Sequence, residues 1–407
     1  MTDPASDRHA PEIRRNWRIL SAVTIGSAFS AVSLLTASFG TFIIPLSREF
    51  GWTRGEIGLA LLFMTGVQAL VSPPLGTLLD RYGTRRLVLL SIPFLACALI
   101  ALSLTPGSPA YFYSCFVLAV VVGGGTAPVS YSRAVNQTFS ARRGMALGIM
   151  FSGMGFAAAL LPILSTAVIQ GVGWRWSYAM LALLALAAFP IAWLGFPRTP
   201  GGTASAPAQG RSGTSYAFLR SPTFWTIALA CSLASFASYG LLVSLIPMLI
   251  DTGLTAADAA GYAALVGMSS AGARLLVGFL LDRLYAPYIA ATILLCSAAG
   301  CVLFLSLGLP AAPVLAVLIG LSFGMEVDLV SFLVARYFGL RQYGLIYGIM
   351  YSGFSASAAF GPAVAGFIFD ATRSYDIALV GGAVLMVLAT FVFLCLPQYP
   401  VRDQAPA

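Results

Sequence analysis

GTLLDRYG, at residues 76–83, returns as GFLLDRLY at 278–285. GIMFSG, at 148–153, returns as GIMYSG at 348–353 with one letter changed. FGTFIIPL, ending at Leu46, is echoed by YGLLVSLIPM, ending at Met248, and RWSY at 175–178 more weakly by RSY at 373–375. The matches keep their order, and their offset stays near 200 residues. A long stretch of chain has been written twice, both copies running the same way.

The duplicated material is apolar. Of the 407 residues, 59% are hydrophobic and 9% charged, whereas soluble chains carry about 25% charged residues. No charge falls between Ile19 and Ser47, or between Gly144 and Trp174. A bilayer-spanning helix needs about 20 mainly apolar residues. Its backbone must pair internally in hydrocarbon, so such runs are expected to be helices. Charges and turn residues cut the chain into twelve runs: 18–45, 56–79, 87–104, 111–132, 144–170, 176–196, 222–250, 259–281, 287–308, 311–334, 343–369 and 376–396. GGTASAPAQGRSGTS, at 201–215, is too poor in apolar residues for a core and reads as a linker. The expectation is an all-α membrane protein of twelve transmembrane helices in two parallel six-helix halves. Its parts are a tail at 1–17, a bundle at 18–196, a linker at 197–220, a second bundle at 221–396 and a tail at 397–407.

All 22 basic residues are arginine. With the N-terminus inside, seventeen of them fall on inner loops and tails, and four (Arg48, Arg54, Arg175, Arg373) fall outside. Inner loops hold the positive excess, so both termini are expected in the cytoplasm. This placement explains the pI of 9.3 without nucleic acid. The six cysteines form no CxxC pair and suggest neither a metal site nor reactive chemistry. The single His, His9, lies in the polar tail, and no phosphate loop or nucleophile constellation occurs, so an enzyme is not expected. The first apolar run is too long for a signal peptide and is expected to be retained.

GTLLDRYGTRR, at 76–86, resembles the loop 2–3 signature of the major facilitator superfamily, G-x-L-x-D-R-x-G-x-R-R, through Gly76, Asp80, Arg81, Gly83, Arg85 and Arg86. The resemblance implies a carrier fold in which this loop latches the cytoplasmic gate. Gly76 would allow close helix approach, and Asp80 would face a helix N-terminus or an arginine. The second copy keeps Gly278, Asp282 and Arg283. FSARRGMALGIMFSGMG, at 139–155, resembles the start of the fifth helix in monocarboxylate transporters and oxalate/formate antiporters; RYFGLRQYGLIYGIMYSG, at 336–353, is its counterpart. The chain departs from that branch in lacking the first-helix [DE]-G-[GS] signature and every membrane lysine. The repeated glycines Gly148, Gly153, Gly348 and Gly353 are expected to let the fifth and eleventh helices pack closely.

Ionisable groups inside a bilayer are functional candidates by default. Arg274 stands eight residues before Asp282, about 12 Å deep at 1.5 Å per residue. Glu326 and Asp328 reach a similar depth before Arg336. In the resembling carriers an arginine on helix 8 binds the substrate carboxylate, and Arg274 occupies the matching place. Its planar fork grips both carboxylate oxygens. Glu326 would then be the proton site, with Asp328 on another face of the helix. A static ion pair is the plainer reading of all three residues. Tyr131, Tyr239, Tyr347 and Tyr351 are candidates for lining the cavity, against ordinary packing, and Arg133 is expected to snorkel to the interface.

One deep arginine favours a monocarboxylate over a dicarboxylate. The reading is a monomeric secondary transporter in a bacterial inner membrane, moving a small organic monoanion by alternating access with a proton, using a proton gradient and no cofactor. The alternatives are a carboxylate exchanger, an efflux carrier for an amphiphile, or a non-transporting sensor on the same fold.

Overall fold

The computed structural model describes residues 10–196 and 216–399. Residues 1–9, 197–215 and 400–407, which carry parts of the expected tails and most of the expected linker, lie outside the described residues. The chain divides into two compact units. One holds 10–196 together with 274–282; the other holds 216–273 and 283–399.

The first unit contains α1 (Ala10–Arg15), α2 (Trp17–Ala28), α3 (Ala31–Phe50), α4 (Arg54–Tyr82), α5 (Thr84–Ser103), α6 (Pro109–Val122), α7 (Pro128–Thr138), α8 (Arg143–Val172) and α9 (Trp174–Gly195). The second contains α10 (Pro222–Asp251), α11 (Ala256–Leu281, whose last turns belong to the first unit), α12 (Ala286–Leu307), α13 (Ala312–Tyr337), α14 (Tyr343–Thr372) and α15 (Asp376–Leu394). Among the described residues, eleven helical spans are long and apolar enough to cross a membrane. The chemistry of the ends is local. Thr53 and Glu56 form a capping box at α4, the Thr53 amide donating to the carboxylate at 2.8 Å. Gly83 and Gly173 take φ of +80° and +100°, which lets consecutive helices follow with almost no loop.

Two expected runs are broken. The first divides into α2 and α3 at Phe29–Ser30, where the Ser30 hydroxyl accepts from the Ser33 amide at 3.2 Å. The fourth, expected unbroken over 111–132, divides into the 14-residue α6, a 3₁₀ turn at Gly124–Thr126, and α7. The sequence GGGTAP explains this break. Glycines weaken the helix, and Pro128 forces Ala127 into an extended conformation (φ −68°, ψ 157°) while starting α7 at its first position. The breaks are joined: the Ala31 amide donates to Thr126 Oγ1 at 3.1 Å, and the Gly125 amide to Ser91 Oγ at 3.0 Å.

Helix association in lipid relies on close packing rather than on the hydrophobic effect. In the first unit a Cβ at Gly153 would collide with the Thr24 carbonyl and lie 2.9 Å from the Ser27 hydroxyl. At Gly148 it would collide with the Arg274 carbonyl. The second unit keeps the letters but shifts the contact. Gly348 is buried, yet Gly353 is exposed, and a Cβ there would meet the Ser232 hydroxyl at 3.6 Å, an ordinary distance. The close packing expected at Gly353 is found two turns on, where Gly361 lies against the Phe236 carbonyl and Gly240.

The two copies of the repeat therefore differ in tolerance. Gly153→Ala is expected to cost about 1–3 kcal/mol through overpacking, whereas Gly353→Ala should stay within about 0.5 kcal/mol. Thermal unfolding of the two variants in detergent checks this, and equal shifts would refute the asymmetry.

Candidate functional site

The start of α8 is held from several sides. Asp282 accepts from the Gly144 amide at 2.5 Å and the Met145 amide at 2.9 Å, placing a carboxylate on a helix N-terminus. Arg143 donates to the Phe139 carbonyl at 3.2 Å and the Asn136 carbonyl at 3.3 Å, tying α8 to the end of α7. Glu12 of α1 accepts from the Ser140 and Arg142 amides at 3.0 and 2.9 Å and from the Ser140 hydroxyl at 3.3 Å. Burial alone would raise the Glu12 pKa, but these hydrogen bonds outweigh it and hold the carboxyl below its ordinary value.

The first copy of the loop motif meets the same need differently. Asp80 pairs with Arg133 at 2.8 Å, their side chains 16% and 4% exposed. Arg133 thus does not snorkel as expected. A single turn from the break places it beside a carboxylate in a buried setting, where pairing offsets part of the desolvation cost. α7 is the more amphipathic piece of the fourth run, and its arginine lies within a buried stretch. Gly83 supplies the left-handed turn, Gly76 is buried, and Arg81 and Arg86 are exposed. Arg81 lies over the Tyr82 ring, whereas Arg85 lies over Trp193 and donates to its carbonyl at 3.3 Å. Arg283 is exposed.

Arg274 is 7% exposed, and its guanidinium carbon lies 5.6 Å from the Phe151 ring centroid. An arginine over an aromatic face keeps its charge while gaining cation–π stabilisation. Gly148, one turn before Phe151, lets the α11 backbone approach closely enough for this contact. Sequence reasoning named the arginine and missed the ring beneath it.

In the second unit Glu326 and Asp328 are 4% and 0% exposed. One turn before Glu326, the Ser322 and Ser238 hydroxyls share a hydrogen bond at 2.8 Å, which fixes this face of α13 against α10. Four residues before Asp328, Gly324 packs on the Ser270 carbonyl and Ala273. The acids therefore project from different faces of α13, as the E-x-D spacing implies. Tyr347 and Tyr351 are brought together in a row on α14: Tyr343, Tyr347, Tyr351 and Phe354 stack with successive centroids 5.6 Å apart. Tyr239 joins its end edge-on, 6.0 Å from Phe354 and 5.1 Å from Phe323. Tyr131 stands apart, packed in the first unit under Gly26 and 6.5 Å from Phe196. Among the described residues, no group of three or more His, Cys, Asp and Glu side chains is placed to hold a metal.

A sequence profile of the Major Facilitator Superfamily matches residues 23–331. The chain belongs to the major facilitator superfamily. It is an integral, multi-pass membrane protein of a transporter family, not an enzyme. It is 25% identical over 399 residues to monocarboxylate transporter 11 of Homo sapiens, covering 92% of this chain and 83% of that one. It is 28% identical over 359 residues to the 2-nitroimidazole transporter of Escherichia coli, covering 86% and 88%. The fold matches the crystal structure of the E. coli fucose:proton symporter FucP with a TM-score of 0.75, covering 95% and 99% at 14% identity.

Removing one partner of the Asp80–Arg133 pair strands a buried charge. Arg133→Ala should cost about 3–5 kcal/mol, and adding Asp80→Asn should recover much of that. A double-mutant cycle on unfolding in detergent reads the coupling, and additive losses would contradict it. For Glu12 the folded pKa is the depressed one. Its contribution is therefore full above the ordinary glutamate range and is lost as pH falls through the lowered value. Hydrogen exchange at Ser140 and Arg142, corrected for intrinsic rates, should deprotect only on that acidic side. Glu12→Gln should abolish the transition.

Proposed function

We propose that this facilitator moves a small organic monocarboxylate together with a proton across a bacterial inner membrane, as a monomer. Twelve crossings with both termini in the cytoplasm complete the reading, the fourth crossing being made by α6 and α7 in succession. The observation that carries it is Arg274: a guanidinium 7% exposed, inside an apolar helix, seated on the Phe151 ring. A permanently charged fork held there is suited to a carboxylate. Glu326 is the acid that binds the proton when substrate is held and releases it when the arginine is free. The aromatic row from Tyr343 to Tyr239 supplies surface for an apolar tail. Alternating access comes from rocking of the two six-helix halves, driven by the proton gradient without a cofactor. The human relative's name, monocarboxylate transporter 11, supports the substrate class.

A second reading has a specific basis. The relative in E. coli is named for 2-nitroimidazole, which has no carboxylate, so a neutral amphiphile is the competing cargo. In that case Arg274 and the acids of α13 serve structure, and the aromatic row reads the cargo.

Uptake of labelled monocarboxylates into proteoliposomes separates the readings. Arg274→Ala is expected to reduce uptake at least tenfold while remaining folded, and Arg274→Lys to restore part of it. Glu326→Gln should keep exchange but lose acceleration by an inward proton gradient. Normal anion uptake by Arg274→Ala would overturn the carboxylate assignment. Indifference of the wild type to an imposed pH step would overturn the coupling.

A further inference from the structure

The joined breaks in the first unit enclose a cavity. It is bordered by Ala31 and Val32 of α3, Gln68 and Ser72 of α4, and Gly123 and Gly124 at the break in the fourth run. It is partly open to its surroundings and has room for little more than a water-sized group. Gln68 is 8% exposed and lines this space. The Ser72 hydroxyl is occupied, donating to the Gln68 backbone carbonyl at 2.6 Å. Among the described residues the Gln68 carboxamide makes no hydrogen bond. A carboxamide without a protein partner offers both donors and an acceptor to whatever enters.

The duplication tells what this place corresponds to. Gly76 and Gly278 open the two copies of the loop motif, and the residues four positions before them are Ser72 and Arg274. Gln68 accordingly stands at the register of Ser270. Where the second copy carries a guanidinium, the first has a hydroxyl, with a carboxamide one turn earlier. The fourth run, counterpart of the helix that carries Glu326 and Asp328, has Gly124 and Thr126 there in place of acids. The same duplicated position thus carries a neutral hydrogen-bonding group in the first copy and a charge in the second.

We propose that this cavity is a neutral recognition site of the carrier, in which Gln68 hydrogen-bonds an uncharged hydroxyl or carbonyl group of the transported acid. The inference rests on the carboxylate reading above. An anionic group is excluded as the occupant, because no cation lines the cavity and a buried carboxylate would be uncompensated. Walls of Ala31, Gly123 and Gly124 leave space beside the carboxamide for a small polar group. A site built around a hydrogen bond rejects the analogue that lacks it, since its own polar group is then left unpaired.

The test uses matched acids on the full-length protein: butyrate against 4-hydroxybutyrate, and phenylacetate against 4-hydroxyphenylacetate. Apparent affinities are read by thermal shift and by competition for uptake in proteoliposomes. The hydroxylated member of at least one pair should bind about 3–10-fold more tightly, the scale of one hydrogen bond. Gln68→Leu should bring that ratio to about one. Gly124→Ala is a second probe for the case in which Gln68→Leu fails to fold. Its Cβ would meet Leu75 at 3.4 Å, an ordinary contact, while narrowing the cavity, so it too should collapse the ratio. A ratio preserved in these variants, or equal binding of both members of every pair by the wild type, overturns the inference and leaves the carboxylate reading standing. Failure of all four acids to bind the wild type overturns both.

Discussion

A carboxylate lying on two backbone amides organises the loop end of the first unit. Asp282 receives the Gly144 and Met145 amides, the donors that a helix start leaves without intrahelical partners. Three sequence requirements follow from this contact. Gly144 and Gly278 must lack side chains, because each would collide with the other's carbonyl. Gly148 must be bare for the same reason against Arg274. The approach so enforced sets Arg274 over Phe151. The repeated small residues are therefore the condition under which Arg274 acquires a defined seat.

The first copy of the motif shows how one need finds two solutions. Asp80 sits in the same sequence frame as Asp282 but pairs with Arg133. The arginine at the end of α13, Arg336, is exposed and lies over Phe332 and Tyr399 instead. One copy thus invests its cation in a buried pair, and the other spends it on aromatic faces. A buried pair is a rigid, directional contact whose loss exposes uncompensated charge. An exposed cation–π contact contributes on the order of 0.5–1 kcal/mol and can be remade. The duplicated letters do not carry duplicated mechanics.

Much of this architecture was legible in the sequence because the bilayer allows few solutions. Apolar runs of twenty or more residues must be helices, and the 76/278 and 148/348 matches identify the duplication without a structure. The buried ionisable groups were legible where an unusual residue type stood in an apolar run, as with Arg274, Glu326 and Asp328. It was illegible where the outcome depended on neighbours. Nothing in GIMFSG against GIMYSG says that Gly153 is enclosed by Thr24 and Ser27 while Gly353 is exposed. The break in GGGTAP is a turn signal that was outweighed by the apolar residues on either side. Arg133 was read by its distance from the end of its helix, but its environment is set by Asp80 on another helix. Tyr131 was a plausible cavity residue until Gly26 supplied the space that its ring fills.

The two copies of the repeat distribute polarity unequally, and the reason is energetic. A membrane-buried charge needs a compensating partner, and each added pair is a further constraint on motion. At the breaks of α2–α3 and α6–α7 the stabilising groups are neutral: Ser30, Ser91 and Thr126 satisfy amides there one by one. A broken helix closed by hydroxyls keeps backbone dipoles near an open space without introducing net charge. That arrangement suits a surface that must be wetted and dewetted repeatedly, because neutral hydrogen bonds exchange with water at little net cost. A guanidinium in the same place would have to find an anion each time the space emptied. On the proposed carboxylate reading, the asymmetry between Ser72 and Arg274 would set one fixed cation for the anion beside a neutral hydroxyl at the duplicated position.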